Sequence, residues 1–149
     1  GVTYTPELYC CGINYVGVSD LSIITSAGRR FGRSSKIYAN AWVGPDRDAR
    51  SPVNFVERIR VPTLHAYGEN DPRVDIKNWT ELESALKHYN KPYEFVREEN
   101  EGHGFRHEEA RIKFYQTMEA FLAKHLNRES GGDSLTVPPE SRTAKSSQQ

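Results

Sequence analysis

Apolar residues along this chain fall into a few runs whose period changes from one stretch to the next. Cys11 to Val18 (CGINYVGV) is a short apolar run with β-branched and aromatic residues, closed by the helix N-cap signal Ser19-Asp20. That combination predicts a buried strand leading into a helix. From Gly28 to Arg50 the sequence is rich in Gly, Arg, Ser and Asp with scattered aromatics (Phe31, Tyr38, Trp42), which predicts a long surface excursion with short helical turns. Ser51-Pro52 then supplies an N-cap and a proline at the first helical position, starting a short helix through Val56.

Beyond Arg60 the pattern becomes regular. Val61 to Gly68 (VPTLHAYG) predicts a strand ending on a turn glycine. In Ile76 to Tyr89 the apolar residues Ile76, Trp79, Leu82, Leu86 and Tyr89 recur at spacings of three and four, the mark of a helix with one buried stripe. Pro92 to Glu98 alternates as a strand does, and a turn follows. A final helix from about His107 to Leu126 carries Ala110, Phe114, Met118, Phe121, Leu122 and Leu126 on one face. Strand, helix, strand, helix is the pattern of an α/β protein, a mostly parallel sheet flanked by helices. From residue 128 onward the sequence is polar and rich in Ser, Gly and Pro, with too little apolar surface to offset the entropy of ordering it. The expected organisation is therefore one domain, or part of one, over residues 1–127 and a disordered tail over 128–149.

Composition narrows the functional classes. Across 149 residues, 20 Lys+Arg balance 20 Asp+Glu, so no charge excess points to nucleic acid or to a strongly basic partner. There is no apolar run of 18 residues to suggest a membrane span, and GVTYTPELYC lacks the charged start and apolar stretch of a secretory leader. The chain opens on Gly1 rather than Met, which reads as a piece of a longer protein and leaves localisation open. The adjacent Cys10 and Cys11 read as small buried hydrophobes, because neighbouring cysteines bridge only with strained geometry. Without a C-x-x-C pair or a phosphate-binding glycine loop, no cofactor or metal is expected.

The chemistry concentrates in two loops, each following one of the better strands, where α/β proteins place their ligand groups. Gly68-Glu69-Asn70-Asp71-Pro72-Arg73-Val74 presents Asp71, and Glu101-Gly102-His103-Gly104-Phe105 presents His103 between glycines that let the backbone turn sharply. An imidazole acting as general base must hold one tautomer, with Nδ1–H donated to a carboxylate and Nε2 facing the nucleophile. The separation of 32 residues between the two corresponds to one loop, one helix and one strand, which brings the tips of adjacent strands together. The order acid then base is that of α/β-hydrolases, whose nucleophile precedes both.

GENDPRV and NEGHGF, together with Ser51-Pro52 and the IRVP of Ile59 to Pro62, resemble the catalytic domain of the prolyl oligopeptidase family, over Gly1 to about Leu126. The resemblance implies the C-terminal portion of an α/β-hydrolase, with Asp71 and His103 as catalytic acid and base of a serine triad. It further implies a serine peptidase acting on peptides or small acylated substrates, usually with a β-propeller domain ahead of the hydrolase domain. The nucleophile motif G-x-S-x-G is absent: Ser19 (GVSDL) and Ser34 (GRSSK) both lack the second glycine of the elbow. By the resemblance, Gly1 to Leu8 would end the helix after the elbow. The serine would then lie shortly before Gly1, and these 149 residues alone would be inactive.

The remaining candidates have plainer readings. His65 lies within a strand and reads as a hydrogen-bonded structural histidine, while His88 and His125 sit late in helices and favour their negative ends. His103 and His107 have the i, i+4 spacing of a metal pair, with Glu101 and Glu108 near, but Gly102 and Gly104 argue against a continuous helix there. Arg73 has the planar fork that binds a carboxylate or phosphate and reads first as a solvated arginine. Tyr15 to Asp20 border the expected pocket, with Asp20 as a helix N-terminal charge, and Trp79 and Phe114 belong to the core. Two alternatives to a peptidase stand: an esterase or lactone hydrolase of the same fold, and a non-catalytic hydrolase-fold binding protein.

Overall fold

The computed structural model describes residues 1–23, 37 and 41–126. Most of the excursion from Gly28, including Ser34, and the expected disordered tail lie outside the described residues.

Three parallel strands form the sheet in the order β1 (Gly12–Tyr15), β2 (Thr63–Gly68), β3 (Tyr93–Glu98), with Ile13 opposite Leu64 and Leu64 opposite Glu94. Helix α1 (Lys77–His88) joins β2 to β3, and α2 (Glu108–Leu126) follows β3. The α/β architecture is the one the apolar pattern predicts. β1 is shorter than the apolar run of Cys11 to Val18, because Val16 adopts φ +49°, a left-handed conformation that ends the extended backbone. Residues 2–5 form a turn and Pro6–Leu8 a 3₁₀ turn, where the resemblance implied the end of a longer helix; Pro6 has no N–H to donate to one.

β2 is the central strand, and all six of its residues are buried because both faces are covered. Leu64 and Ala66 point to one side and pack with Val96, Phe105, Ala110, Phe114 and Phe121, which brings α2 onto that face. Tyr67 points to the other and packs with Val56, Ile59, Val74, Trp79, Leu82 and Leu86, which brings α1 onto it. Trp79 and Phe114 are each 3% exposed, as their spacing predicts, and Trp79 stacks on Phe95 with ring centroids 3.8 Å apart. The last members of both helical stripes, Tyr89 and Leu126, are exposed instead, lying at or beyond the C-terminal end of their helices.

Two local expectations change. Cys10 is exposed and Cys11 half-buried, both as free thiols, in the segment that leads into β1, the outer of the three described strands. Ser51 is fully buried but its side chain does not cap the helix that follows it: its Oγ accepts from the Leu21 N–H (3.0 Å) and donates to the Arg47 carbonyl (2.8 Å). The helix it precedes is a 3₁₀ segment, Pro52–Arg58, which runs past Val56. Asn78, also buried, ties the start of α1 to the segment after β1, its Oδ1 accepting the N–H groups of Ser19 and Asp20 at 3.1 Å each.

His65 is a buried titratable group on the central strand. The Asn14 amide lies 3.3 Å from Nδ1, and Nε2 lies 2.9 Å from Thr63 Oγ1, a pairing that a neutral imidazole protonated at Nε2 satisfies. Burial lowers its pKa to about 4. The unfolded chain then binds more protons than the folded one between about pH 6.5 and pH 4, so stability is fully present above that window and lost as pH falls through it. The loss should approach about 3 kcal/mol by pH 4. Urea unfolding at pH 7, 5.5 and 4.5 should show this slope and a flatter one in His65→Gln; equal slopes would rule His65 out as its source.

Candidate functional site

The loops after β2 and β3 meet at the carboxyl end of the sheet. β2 closes on Gly68, where a Cβ would overlap the backbone carbonyl of Glu101, so the two loops approach as closely as backbone allows. Across that contact the Asn70 N–H donates to the Glu101 carbonyl at 2.9 Å.

Asp71 organises the first loop with one carboxylate oxygen and presents the other. Its Oδ1 accepts the N–H groups of Arg73 (2.8 Å) and Val74 (3.0 Å), the local turn that a short acidic side chain makes with its own backbone. Val74 is buried beneath it, which pins the turn to the core. Oδ2 lies 2.9 Å from Nδ1 of His103. The Asp71 side chain is 1% exposed and that of His103 33%, so the carboxylate is shielded while the imidazole reaches solvent.

His103 sits between Gly102 and Gly104, and Gly104 has φ +99°, a conformation costly for any residue with a Cβ. This turn aims Nδ1 at Asp71. A neutral His103 donating Nδ1–H to that carboxylate has an unprotonated Nε2, able to take a proton from a hydroxyl brought to it.

The other candidates do not join this pair. Ser19 is buried, with its hydroxyl donating to the Asn78 carbonyl at 2.6 Å, far from the role of a free nucleophile. Arg73 is exposed and, with Arg106, borders a cavity of about 430 Å³ beside His103. His107 Nδ1 faces Glu101 Oε1 at 2.8 Å, so the two histidines serve different carboxylates. Among the described residues no three His, Cys, Asp or Glu side chains converge as a metal site requires. Nor is any helix among them long and apolar enough to cross a membrane. His88 and His125 pack edge-on or tilted against Tyr89 and Phe121.

Glu101, which the sequence suggested only as a neighbour of a metal pair, is buried and accepts the N–H groups of Arg106 and His107 at 2.7 Å each. Burial pushes its carboxyl up, but those two donors and the His107 ring outweigh it and hold the pKa below the usual range. A carboxylate seven residues ahead of a helix start was the available signal, in reach of the donors that a helix N-terminus leaves unpaired.

The model of the prolyl oligopeptidase family matches residues 2–129. The dipeptidyl aminopeptidase BIII of Pseudoxanthomonas mexicana is 31% identical over 153 residues, covering 93% of this chain and 22% of its own. Dipeptidyl peptidase family member 6 of Caenorhabditis elegans is 28% identical, covering 87% of this chain and 19% of its own. Among solved structures, a puromycin-hydrolyzing peptidase of Mycobacterium tuberculosis superposes with a TM-score of 0.75 at 26% identity, over 85% of this chain and 20% of its own. The chain thus spans about a fifth of the length of these relatives.

Proposed function

This chain belongs to the prolyl oligopeptidase family, and from that membership we propose that the protein carrying it is a serine peptidase working through an acyl-enzyme. The observation that carries this reading is the 2.9 Å contact between His103 Nδ1 and a buried Asp71 oxygen at the ends of adjacent parallel strands.

In the proposed cycle, a serine upstream of Gly1 attacks the scissile carbonyl carbon while His103 Nε2 takes the hydroxyl proton. Asp71 orients the ring and stabilises the imidazolium. His103 then returns the proton to the leaving amine as the peptide C–N bond breaks, leaving an acyl-serine that water hydrolyses through the same base. Peptide substrates accord with the dipeptidyl peptidases among its relatives. An upstream region of the same protein, with or without a β-propeller, would supply the serine, the oxyanion-hole donors and the specificity.

The test uses the complete protein with three reagents: a fluorophosphonate, a set of dipeptidyl anilides and a short-chain ester. Stoichiometric labelling together with anilide cleavage is the expected result. Ester cleavage without anilide cleavage would replace the peptidase by an esterase, and absence of labelling and turnover would overturn the reading altogether.

A further inference from the structure

His103 lies in the least restricted stretch of backbone at the site, with a glycine on each side. Glycine lowers the cost of the turn but does nothing to hold it, so a preorganised imidazole needs bonds from beyond the two glycines. The structure supplies them in an unbroken row. Immediately after Gly104, the backbone N–H groups of Phe105, Arg106 and His107 each donate to a side-chain oxygen: to the Tyr15 hydroxyl, to Glu101 Oε2 and to Glu101 Oε1. The Tyr15 oxygen is delivered by a ring stacked on Phe114 (4.5 Å between centroids) and set edge-on to Phe105 (5.1 Å). It comes from the last residue of β1, on the far side of β2.

Glu101 works in two directions. Its carboxylate closes the segment 101–107 around His103, with His107 Nδ1 adding a third donor, while its carbonyl accepts the Asn70 N–H beside Asp71. One residue thus bonds both the loop of the base and the loop of the acid.

We infer that the Tyr15 hydroxyl and the Glu101 carboxylate are positioning residues for His103, clamping its glycine-flanked loop so that the imidazole stays in register with Asp71. The inference rests on the peptidase reading above. Capping of α2 alone would need only an acceptor near its first turn. Here one acceptor comes from the last residue of β1 and the other from the loop after β3, at the end of the sheet where Asp71 stands.

The test is made on the complete protein with Tyr15→Phe and Glu101→Gln, and rates are expressed per active site counted by fluorophosphonate labelling taken to completion. Tyr15→Phe keeps the ring and its stacking and removes one acceptor. It should lower kcat by about 10-fold, and Glu101→Gln by up to about 100-fold, with KM little changed, as expected for a loosened catalytic group.

The acid limb of the kcat/KM pH profile should also move to lower pH, since a slackened bond to Asp71 stabilises the imidazolium less. The titratable and charged groups around His103 are Asp71 and Arg73 from the loop after β2, Glu101, Arg106 and His107 from its own loop, and Tyr15 from β1. Tyr15→Phe changes none of their charges at neutral pH, so its shift reports geometry; it also decides the matter if Glu101→Gln fails to fold.

Fewer active sites with kcat and pH profile unchanged on those that remain would make both residues merely structural and overturn the inference. His103→Ala in the same assay separates the two levels. If it is inactive while Tyr15→Phe behaves as the parent, the clamp alone fails; if it is fully active, the peptidase reading fails.

Discussion

Asp71→Asn in the complete protein is expected to lower kcat by up to about 10⁴ while leaving the fold nearly intact, by analogy with the same change in a well-studied serine protease. The reason lies in how Asp71 divides its two oxygens. Oδ1 is committed to the Arg73 and Val74 N–H groups, which an asparagine carbonyl can still accept, so the turn and the buried Val74 beneath it are retained. The amide nitrogen must then take the place of Oδ2 and point its hydrogens at His103 Nδ1. Nδ1 can meet them only as an acceptor, which moves the ring proton to Nε2, the nitrogen that has to receive one from the serine. Steady-state turnover of a peptidyl anilide beside a thermal melt measures both halves of the expectation. Parent-like turnover would remove Asp71 from the mechanism, and a collapsed melting temperature would make it a structural residue first.

Gly68→Ala should combine a loss of stability with a loss of turnover. The added methyl overlaps the backbone carbonyls of Glu101 and Gly102, neither of which can swing aside as a flexible side chain would. Relief requires the loops after β2 and β3 to separate. Overpacking of this kind costs about 1–3 kcal/mol. Because the Asp71–His103 contact spans the same two loops, a displacement on the order of 1 Å should cost turnover about 100-fold. Chemical denaturation and kcat/KM should therefore fall together, in contrast to Asp71→Asn, where only kcat/KM falls. A Gly68→Ala protein with parental activity would mean that the close approach at Gly68 is not what sets the spacing of the pair.

Much of this was legible along the chain because it depends on local periods and local turns. The stripe of Ile76, Trp79, Leu82 and Leu86 located α1 to within a residue at its start, and β2 was readable as a strand in VPTLHAYG. Its observed start two residues late, at Thr63, follows from Pro62, which has no N–H for a ladder. Asp71 and His103 stood out because strand ends in a parallel sheet converge, and topology converts a 32-residue separation into contact.

What escaped was set by neighbours remote in sequence. Cys10 and Cys11 look like core residues until the structure sets them in the segment ahead of the outermost described strand, and Ser51 looks like a cap until packing against Leu21 and Arg47 claims its hydroxyl. Tyr15 and Phe105 are 90 residues apart, and nothing in either flanking sequence announces that a phenol oxygen will meet that N–H. The sequence by itself determined the α/β class, the strands, both packed helices and the two loops that present Asp71 and His103, because each rests on a short-range pattern with one physical solution. Only the tertiary structure decided which oxygen of Asp71 faces His103, that Glu101 is buried as an acceptor, and that β1 reaches over to hold the histidine loop. Those contacts depend on the register of three strands and the packing of two helix faces, which no single segment specifies.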